Sequence, residues 1–217
     1  VAVIEYHGGD PYENTASGAR INYYNIIYFP TSLFDGQNPI EGGSNTESLY
    51  PDFLPLYNSA IAVTSSFTIN LDISTTDDQN FTGQVVINKV DNYAGTNLKA
   101  HIVVTESGIE ESWQGQTHLE WVMRSMYPNQ NGTTLDFSSS SQQTIDLSFA
   151  LDESWVTENC EIVVFIQDNS NKKVLQTTKA SLNMPLGDNV AKIEKIISPT
   201  SVNECDTILD NAVIKIV

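Results

Sequence analysis

The side chains able to do chemistry are few and scattered. Three histidines, His7, His101 and His118, lie far apart, and no pair has the i, i+2 or i, i+4 spacing of a zinc site. They read as hydrogen-bonded surface groups. Two cysteines, Cys160 and Cys205, give no disulfide framework. Cys160 leads "CEIVVFIQD" on the same face as Ile162, Val164 and Ile166. An opposing strand such as "GQVVINKV" carries no cysteine, so Cys160 reads as a buried free thiol. Cys205, in "NECDT", either stays free or pairs beyond Val217.

The turns "TTDDQN" and "QDNSNKK" offer oxygen ligands that suit calcium, yet neither matches an EF-hand loop and both are ordinary Asp/Asn turns. No cofactor is expected, calcium being the one ion considered. Glu110 and Glu111 are neighbours on a loop rather than a spaced catalytic pair, and read as solvated charge. Of the tryptophans, Trp121 alternates with Leu119 and Met123 and is expected in the core. Trp113, in the loop "ESWQGQ", is the candidate for an exposed ligand contact; aromatic faces such as those of Trp113, Trp121 and Trp155 stack well on sugars or peptides. No Gly-x-Ser-x-Gly elbow, phosphate loop, dinucleotide fingerprint or His-Glu-x-x-His occurs, so the chain carries no catalytic motif.

The elements that hold these residues fall into three stretches. "VAVIEYH" is apolar at nearly every position, as a central buried strand would be. After "GGDP", the spacing in "YENTASGARINYYNI" predicts a helix with Ala16, Ala19, Tyr23 and Ile26 near one face. "TSLFDG" and "NPIEGG" predict two strands joined at Asp35-Gly36, a hairpin signal. Residues 45–62 read as a second helix, capped by Asn45, with Glu47 in its first turn.

From Thr64 the pattern changes to strict alternation. Phe67, Ile69, Leu71 and Ile73 share one face, as do Ile145, Leu147, Phe149 and Leu151. With "GQVVINKV", "LKAHIVVTE", "HLEWVMRSM", "CEIVVFIQD" and "KVLQTTKA", seven candidate strands separated by polar turns argue for a β-sandwich over 63–184. Residues 185–217 are too few to bury a core, and read as a linker with the start of a further β-domain or as edge-adding strands.

The formal net charge of -17 disfavours nucleic acid and anionic membranes as partners, and no apolar run is long enough to span a bilayer. Sparse lysine and Asn/Ser/Thr-rich loops point towards export. The sequence opens at Val1 without a leader and stops at "AVIKIV" inside a strand pattern, which reads as a trimmed product or part of a longer chain.

"VAVIEYHGGDPY", the helix with "GARINYYNI" and "YFPTSLFDG", followed by "HIVVTESGIEESWQGQTHLEWVMRSMYPNQNGTTLDF" and "LDESWVTENCEIVVFIQDNSNKKVLQ", together resemble the Omp-twenty-eight-related exported proteins of Bacteroidota type, over roughly residues 1–182. The resemblance implies an α+β N-terminal portion at 1–62, the second half of a thioredoxin-like fold, and an all-β immunoglobulin-like sandwich at 63–184. It makes Phe29-Pro30 a cis bond and places the family's redox Cys-x-x-Cys ahead of Val1. A strand is then expected between Val1–His7 and Thr31–Asp35.

The function expected is that of a non-catalytic surface protein, exported to the cell surface, outer membrane or exterior, which binds a protein partner or other domains of its own chain. One alternative is a thiol-disulfide oxidoreductase with its dithiol upstream. Another is a subunit of a homo-oligomer or polymer built by strand addition.

Overall fold

Alternation from Phe67 onward builds the larger part of the structure, a computed structural model that describes residues 1–44, 46–113 and 115–184 and the backbone of 193–198 and 213–216. In chain order the elements are an extended segment at 1–7, α1 (Thr15–Tyr24), β1 (Thr31–Phe34), β2 (Gln37–Glu41), α2 (Tyr50–Ile61), β3 (Phe67–Thr75), β4 (Asn80–Lys89), β5 (Leu98–Glu106), β6 (Ile109–Trp113), β7 (Gln116–Leu119), β8 (Val122–Tyr127), β9 (Thr133–Leu135), β10 (Gln142–Ala150), β11 (Cys160–Asp168), β12 (Lys173–Ser181), β13 (Ile193–Ser198) and β14 (Val213–Ile216).

Two sheets face each other. One has the order β10-β4-β3, and the other β12-β11-β5-β8 with β9 beside β5. Phe67, Phe81, Val85, Ile87 and Phe149 from the first meet Ala100, Ile102, Val104, Ile162, Val164 and Ile166 from the second. Phe81 and Phe149 stack with ring centres 5.4 Å apart. Each such side chain removed from water contributes about 1.5–3 kcal/mol. Cys160 joins this core as a free thiol, its Sγ 3.4 Å from the Val156 carbonyl. The segment read as the single strand "HLEWVMRSM" is divided into β7 and β8 at Trp121, whose φ of 54° breaks the extended run. Trp121 is therefore 41% exposed rather than in the core, while Leu119 and Met123 stay buried. β6 and β9 are strands that the alternation did not reveal.

β5 and β11 are buried at eight of their nine positions, so both faces of the second sheet must be covered. The sandwich core covers one. The other, presenting Val103, Met123, Met126, Val163 and Phe165, is covered by Ala2, Ile4 and Tyr6 of the extended segment, Ala16 of α1 and Val174.

Val1–His7 thus departs from the buried strand expected of a continuous apolar run. It makes one parallel bridge, Glu5 to Val122, and turns Ala2, Ile4 and Tyr6 inward while Val1 is 81% exposed. The cause is one-sided support: β8 lies along one edge, and the sheet face lies under one set of side chains.

α1 begins where Asn14 accepts from the Ala16 and Ser17 N–H groups, with Ser17 Oγ bonded back to the Asn14 N–H. It ends at Asn25, in the left-handed region at φ 61°. Its innermost residues are Ser17 and Arg20 rather than Ala19 and Ile26. α2 starts at Tyr50, later than the pattern suggested; Leu49 supplies no side-chain cap and a proline in the first turn sets the start. Asn45, the expected cap, lies outside the described residues.

The β1–β2 hairpin turns at Asp35 and Gly36, with φ of 49° and 71°, as a two-residue primed turn requires. It rests on the β11–β12 turn: the Val174 N–H donates to the Asp35 carbonyl at 2.8 Å and Gln37 Nε2 to the Asn171 carbonyl at 2.7 Å. A Cβ on Gly36 would run into the Lys172 carbonyl, whereas one on Gly42, also at positive φ, meets open space. Gly36→Ala is expected to cost about 2–3 kcal/mol in urea unfolding, combining backbone strain with overpacking. Gly42→Ala should cost only the strain, about 1 kcal/mol. Equal losses would show that the hairpin does not seat on this turn.

Candidate functional site

Arg20 fixes α1 to the sandwich. It is 2% exposed, and its Nη2 donates to Tyr24 Oη at 2.9 Å and to Gln167 Oε1 at 2.7 Å. Its guanidinium lies over the rings of Tyr23, Tyr24 and Phe165, at 4.5, 4.9 and 5.7 Å from their centres. Among the described residues no carboxylate pairs with it, and its Nε has no hydrogen-bond partner. Gln167 completes the group by donating to Tyr24 Oη at 2.8 Å and to the Lys172 carbonyl at 2.6 Å. Burial pushes the nearby Tyr6 phenol up to about 12, against the pull of the Arg20 charge. Asn14 adds a second tie, from its Nδ2 to the Met123 and Arg124 carbonyls.

At the end of the extended segment, His7 Nδ1 lies 2.7 Å from Asp10 Oδ2 and Nε2 lies 3.8 Å from Glu5 Oε1. Glu5 first, and then Asp10, hold the His7 imidazolium above its ordinary range, against the effect of burial. Gly8 follows because a Cβ there would lie 2.8 Å from Ile21 Cδ1 and 3.2 Å from Phe29 Cζ. That close approach sets the segment's end against the Phe29-Pro30 turn. The Phe29-Pro30 peptide bond is cis, as is Tyr127-Pro128. The Pro30 carbonyl accepts from the Gly42 N–H at 2.8 Å, and Thr31 Oγ1 donates to the Tyr28 carbonyl at 2.7 Å.

Around this turn the surface is apolar. Ile27, Tyr28 and Phe29 are exposed, Phe29 at 58%. α2 has no buried residue; Phe53 meets Phe34 with ring centres 5.5 Å apart, while Tyr50, Tyr57 and Ile61 face solvent. No side-chain charge occurs between Ile21 and Phe34. Ile27–Phe29 and the outer side of α2 make an exposed apolar ledge in an acidic part of the sequence.

The remaining candidates are dispersed. His101 is not a surface group: it is 1% exposed, stacks on Phe165 at 4.9 Å, and neither ring nitrogen has a partner. Burial, with the charges of Arg20 and Lys99, drives its pKa down to about 3. His118 is exposed and lies 2.9 Å from Thr117 Oγ1. Glu111 accepts from the Tyr12 hydroxyl at 3.1 Å. Trp113 ends β6, but its side chain lies outside the described residues, as does Cys205. Trp155 packs on the core beneath Arg124, which pairs with the buried Glu106 at 3.2 Å.

In "TTDDQN", Asp77 accepts from the Gln79 and Asn80 N–H groups and from Asn80 Nδ2. In "QDNSNKK", Asp168 accepts from the Tyr93 hydroxyl and the Ser170 N–H. Both carboxylates are committed to turns, and among the described residues no three His, Cys, Asp or Glu converge. Burial raises the Cys160 thiol to about 12, far from a reactive thiolate. Arg20, Gln167 and Tyr6 are the residues that local spacing did not mark; a lone arginine in an uncharged stretch, with tyrosines three and four positions on, was the available signal.

A two-sheet β-protein with an α/β cover over one sheet, and no described helix long and apolar enough to cross a membrane, is the class these features define. The chain belongs to the family described as Outer membrane protein Omp28, whose profile matches residues 19–185. With that membership the protein is an exported one of the cell surface or outer membrane.

Among solved structures it is similar to HBP35 of Porphyromonas gingivalis, at 16% identity and a TM-score of 0.64, covering 97% of this chain and 71% of that one; this likeness is one of fold. A domain of the outer membrane lipoprotein Omp28 from the same organism matches at 16% identity and a TM-score of 0.40, over 56% of this chain and 91% of that one. No curated protein matches the sequence.

Proposed function

We propose that the protein is a non-catalytic surface protein that binds a polypeptide partner through the ledge formed by Ile27–Pro30 and α2. The observations that carry this reading are a helix packed on β1 with no residue buried, and an uncharged run of exposed Ile, Tyr and Phe just ahead of β1. Apolar area of this kind on a soluble surface marks an interaction site.

In this reading residues 1–62 are the second half of a thioredoxin-like domain, supported by the order of extended segment, helix, turn, hairpin and helix. Residues 63–184 are an immunoglobulin-like sandwich, supported by β3-β4-β10 facing β12-β11-β5-β8. The β13–β14 pair is the start of a further β-domain or a pair of edge-adding strands. Pro30 serves as the docking turn and Trp113 as an additional contact. A thiol-disulfide oxidoreductase would need a dithiol outside this sequence, because the buried Cys160 cannot supply one.

The test is a photo-crosslinking residue at Tyr28 or, as control, at exposed Gln84, in the exporting cell. A discrete polypeptide adduct is expected from Tyr28 only, reduced at least tenfold by Phe29→Ser. The same adducts from both positions, or none from Tyr28, would sink the proposal.

A further inference from the structure

His101 lies where the second sheet meets the segment and helix laid over it. It stands opposite Phe165 on the neighbouring strand β11, and the two rings stack at 4.9 Å. The Arg20 guanidinium of α1 lies over the same Phe165 ring, 5.7 Å from its centre. From the β8–β9 turn, Gly132 closes on the imidazole so tightly that a Cβ there would lie 2.8 Å from Nδ1. Among the described residues neither imidazole nitrogen has a hydrogen-bond partner, and Arg20 Nε has none.

A neutral imidazole fits such a place as a flat ring. An imidazolium does not, because it would hold two N–H donors without acceptors, away from water and beside a guanidinium that lacks a counter-ion. The charges that act on His101, Arg20 from α1 and Lys99 from its own strand, both oppose a further cation. Among the described residues no carboxylate offsets them: Glu5 and Asp10 are turned to His7, Glu13 to the Gly9 N–H, and Glu106 to Arg124 of β8. On β11, Asp168 accepts from the Tyr93 hydroxyl and the Ser170 N–H. Tyr6, Tyr23 and Tyr24 are the other titratable side chains grouped about Arg20.

His101 stands on a central strand, paired with β11 along its whole length and with β8 and β9 on the other side, so it cannot turn to water without breaking the sheet. The covering part is held more lightly. Its polar ties are the Arg20–Gln167 bond, the Asn14 bonds to β8 carbonyls, the two Glu5 backbone bonds and the hydroxyls of Tyr12 and Tyr23. We propose that His101 is an acid-operated latch: proton uptake by its ring lifts α1 and Val1–His7 from the second sheet while the two-sheet sandwich stays folded. The face uncovered is the apolar one of Val103, Met126, Val163 and Phe165. The latch acts whatever the ledge binds.

Closed, the imidazole has a pKa of about 3; opened, it returns to about 6.5. The opened form thus takes up a proton that the closed form refuses, so closure is fullest above about pH 6.5 and weakens about tenfold for each unit below it, down to about 3. His7 titrates in the opposite sense: Glu5 and Asp10 raise its pKa against the effect of burial, so its contribution is complete below the ordinary value and fades as pH rises. Both partners are sequence neighbours of His7, so they firm the end of the segment without fastening it to the sheet.

Hydrogen exchange on the full 217-residue chain, corrected for intrinsic rates, reads the two parts separately. The Ala19–Tyr24 amides are expected to open on the order of a hundredfold more often than those of β4 at each pH, and about tenfold more often for each unit of fall between about pH 6 and pH 4. A dye that fluoresces on apolar surface should bind over the same range. His101→Phe removes the titrating group and should flatten the slope for α1. If that variant fails to fold, the ring-carbon chemical shifts of His101 in the parent decide, since they must report proton uptake over the range in which α1 opens. The latch is overturned if α1 and β4 open with a single constant, if the slope survives in His101→Phe, or if the ring takes up its proton while the α1 amides stay protected. Opening confined to the turn at Asn129–Gly132 overturns it too, because the proton would then enter past the turn rather than past the helix.

Discussion

Arg20→Ala is expected to lower the stability of the protein by about 3 kcal/mol, measured by urea unfolding, and to open α1 to hydrogen exchange before the sandwich opens. Three effects compete. Removing the guanidinium relieves the cost of holding a cation out of water without a counter-ion, a gain of several kcal/mol before compensation. Against that stand the contacts with three aromatic rings, each worth up to about 2 kcal/mol when desolvated. The third effect is what remains: Gln167 loses a charge-assisted bond at a site with no water access, costing about 1–3 kcal/mol, and the long side chain leaves a cavity between α1 and β11. The losses win because two of them persist after the charge has gone. Arg20→Met fills most of the cavity and should recover about half of the loss. A change below about 1 kcal/mol for Arg20→Ala would mean that Arg20 does not hold the helix.

The second large effect is acid lability centred on His101. Its folded pKa is about 3, set mainly by burial, against an unfolded value of about 6.5. Between those limits the unfolded chain binds a proton that the folded chain refuses. The neutral imidazole's contribution is thus complete above pH 6.5 and is lost as pH falls towards 3. At about 1.4 kcal/mol per unit, the total is on the order of 5 kcal/mol. His101→Phe keeps a ring against Phe165 and removes the titration, so its stability should change much less between pH 7 and pH 4 than that of the parent. Comparing slopes rather than absolute values separates titration from any overpacking near Gly132. Parallel pH profiles would place the proton elsewhere.

What could be read from the sequence was what depends on near neighbours. The alternation Phe67, Ile69, Leu71, Ile73 placed β3, Asp35-Gly36 placed the hairpin turn, and the parity of Cys160 with Ile162 and Val164 placed its thiol in the core. What escaped depends on residues about a hundred or more positions away. Arg20 is buried because Gln167 and Phe165 face it. Val1 and Val3 are exposed because β8 supports only one side of their segment. His101 shares its face of β5 with Lys99, Val103 and Thr105, a mixed set that reads as solvent-facing; it is buried because the residues that cover that face come from far away in the chain. Trp121 followed the alternation on paper and left it in space, because the chain reverses its local twist there to offer its carbonyl to Glu5. The apolar ledge was legible only as a helix and a turn, since nothing local says that a helix will find no cover.

The cover laid by residues 1–24 over the second sheet sets an order of events. Its ties run from Asn14 to Met123, from Glu5 to Trp121 and from Arg20 to Gln167, so every one waits for strands made much later in the chain. A part made before the sandwich strands therefore docks after them. Until β8 and β11 exist, Ala2, Ile4, Tyr6 and the paired tyrosines of α1 have no surface to meet, and closing loops of such length is slow. Until the sandwich forms, that arm stays an open chain, exposed to proteases that the finished fold would exclude.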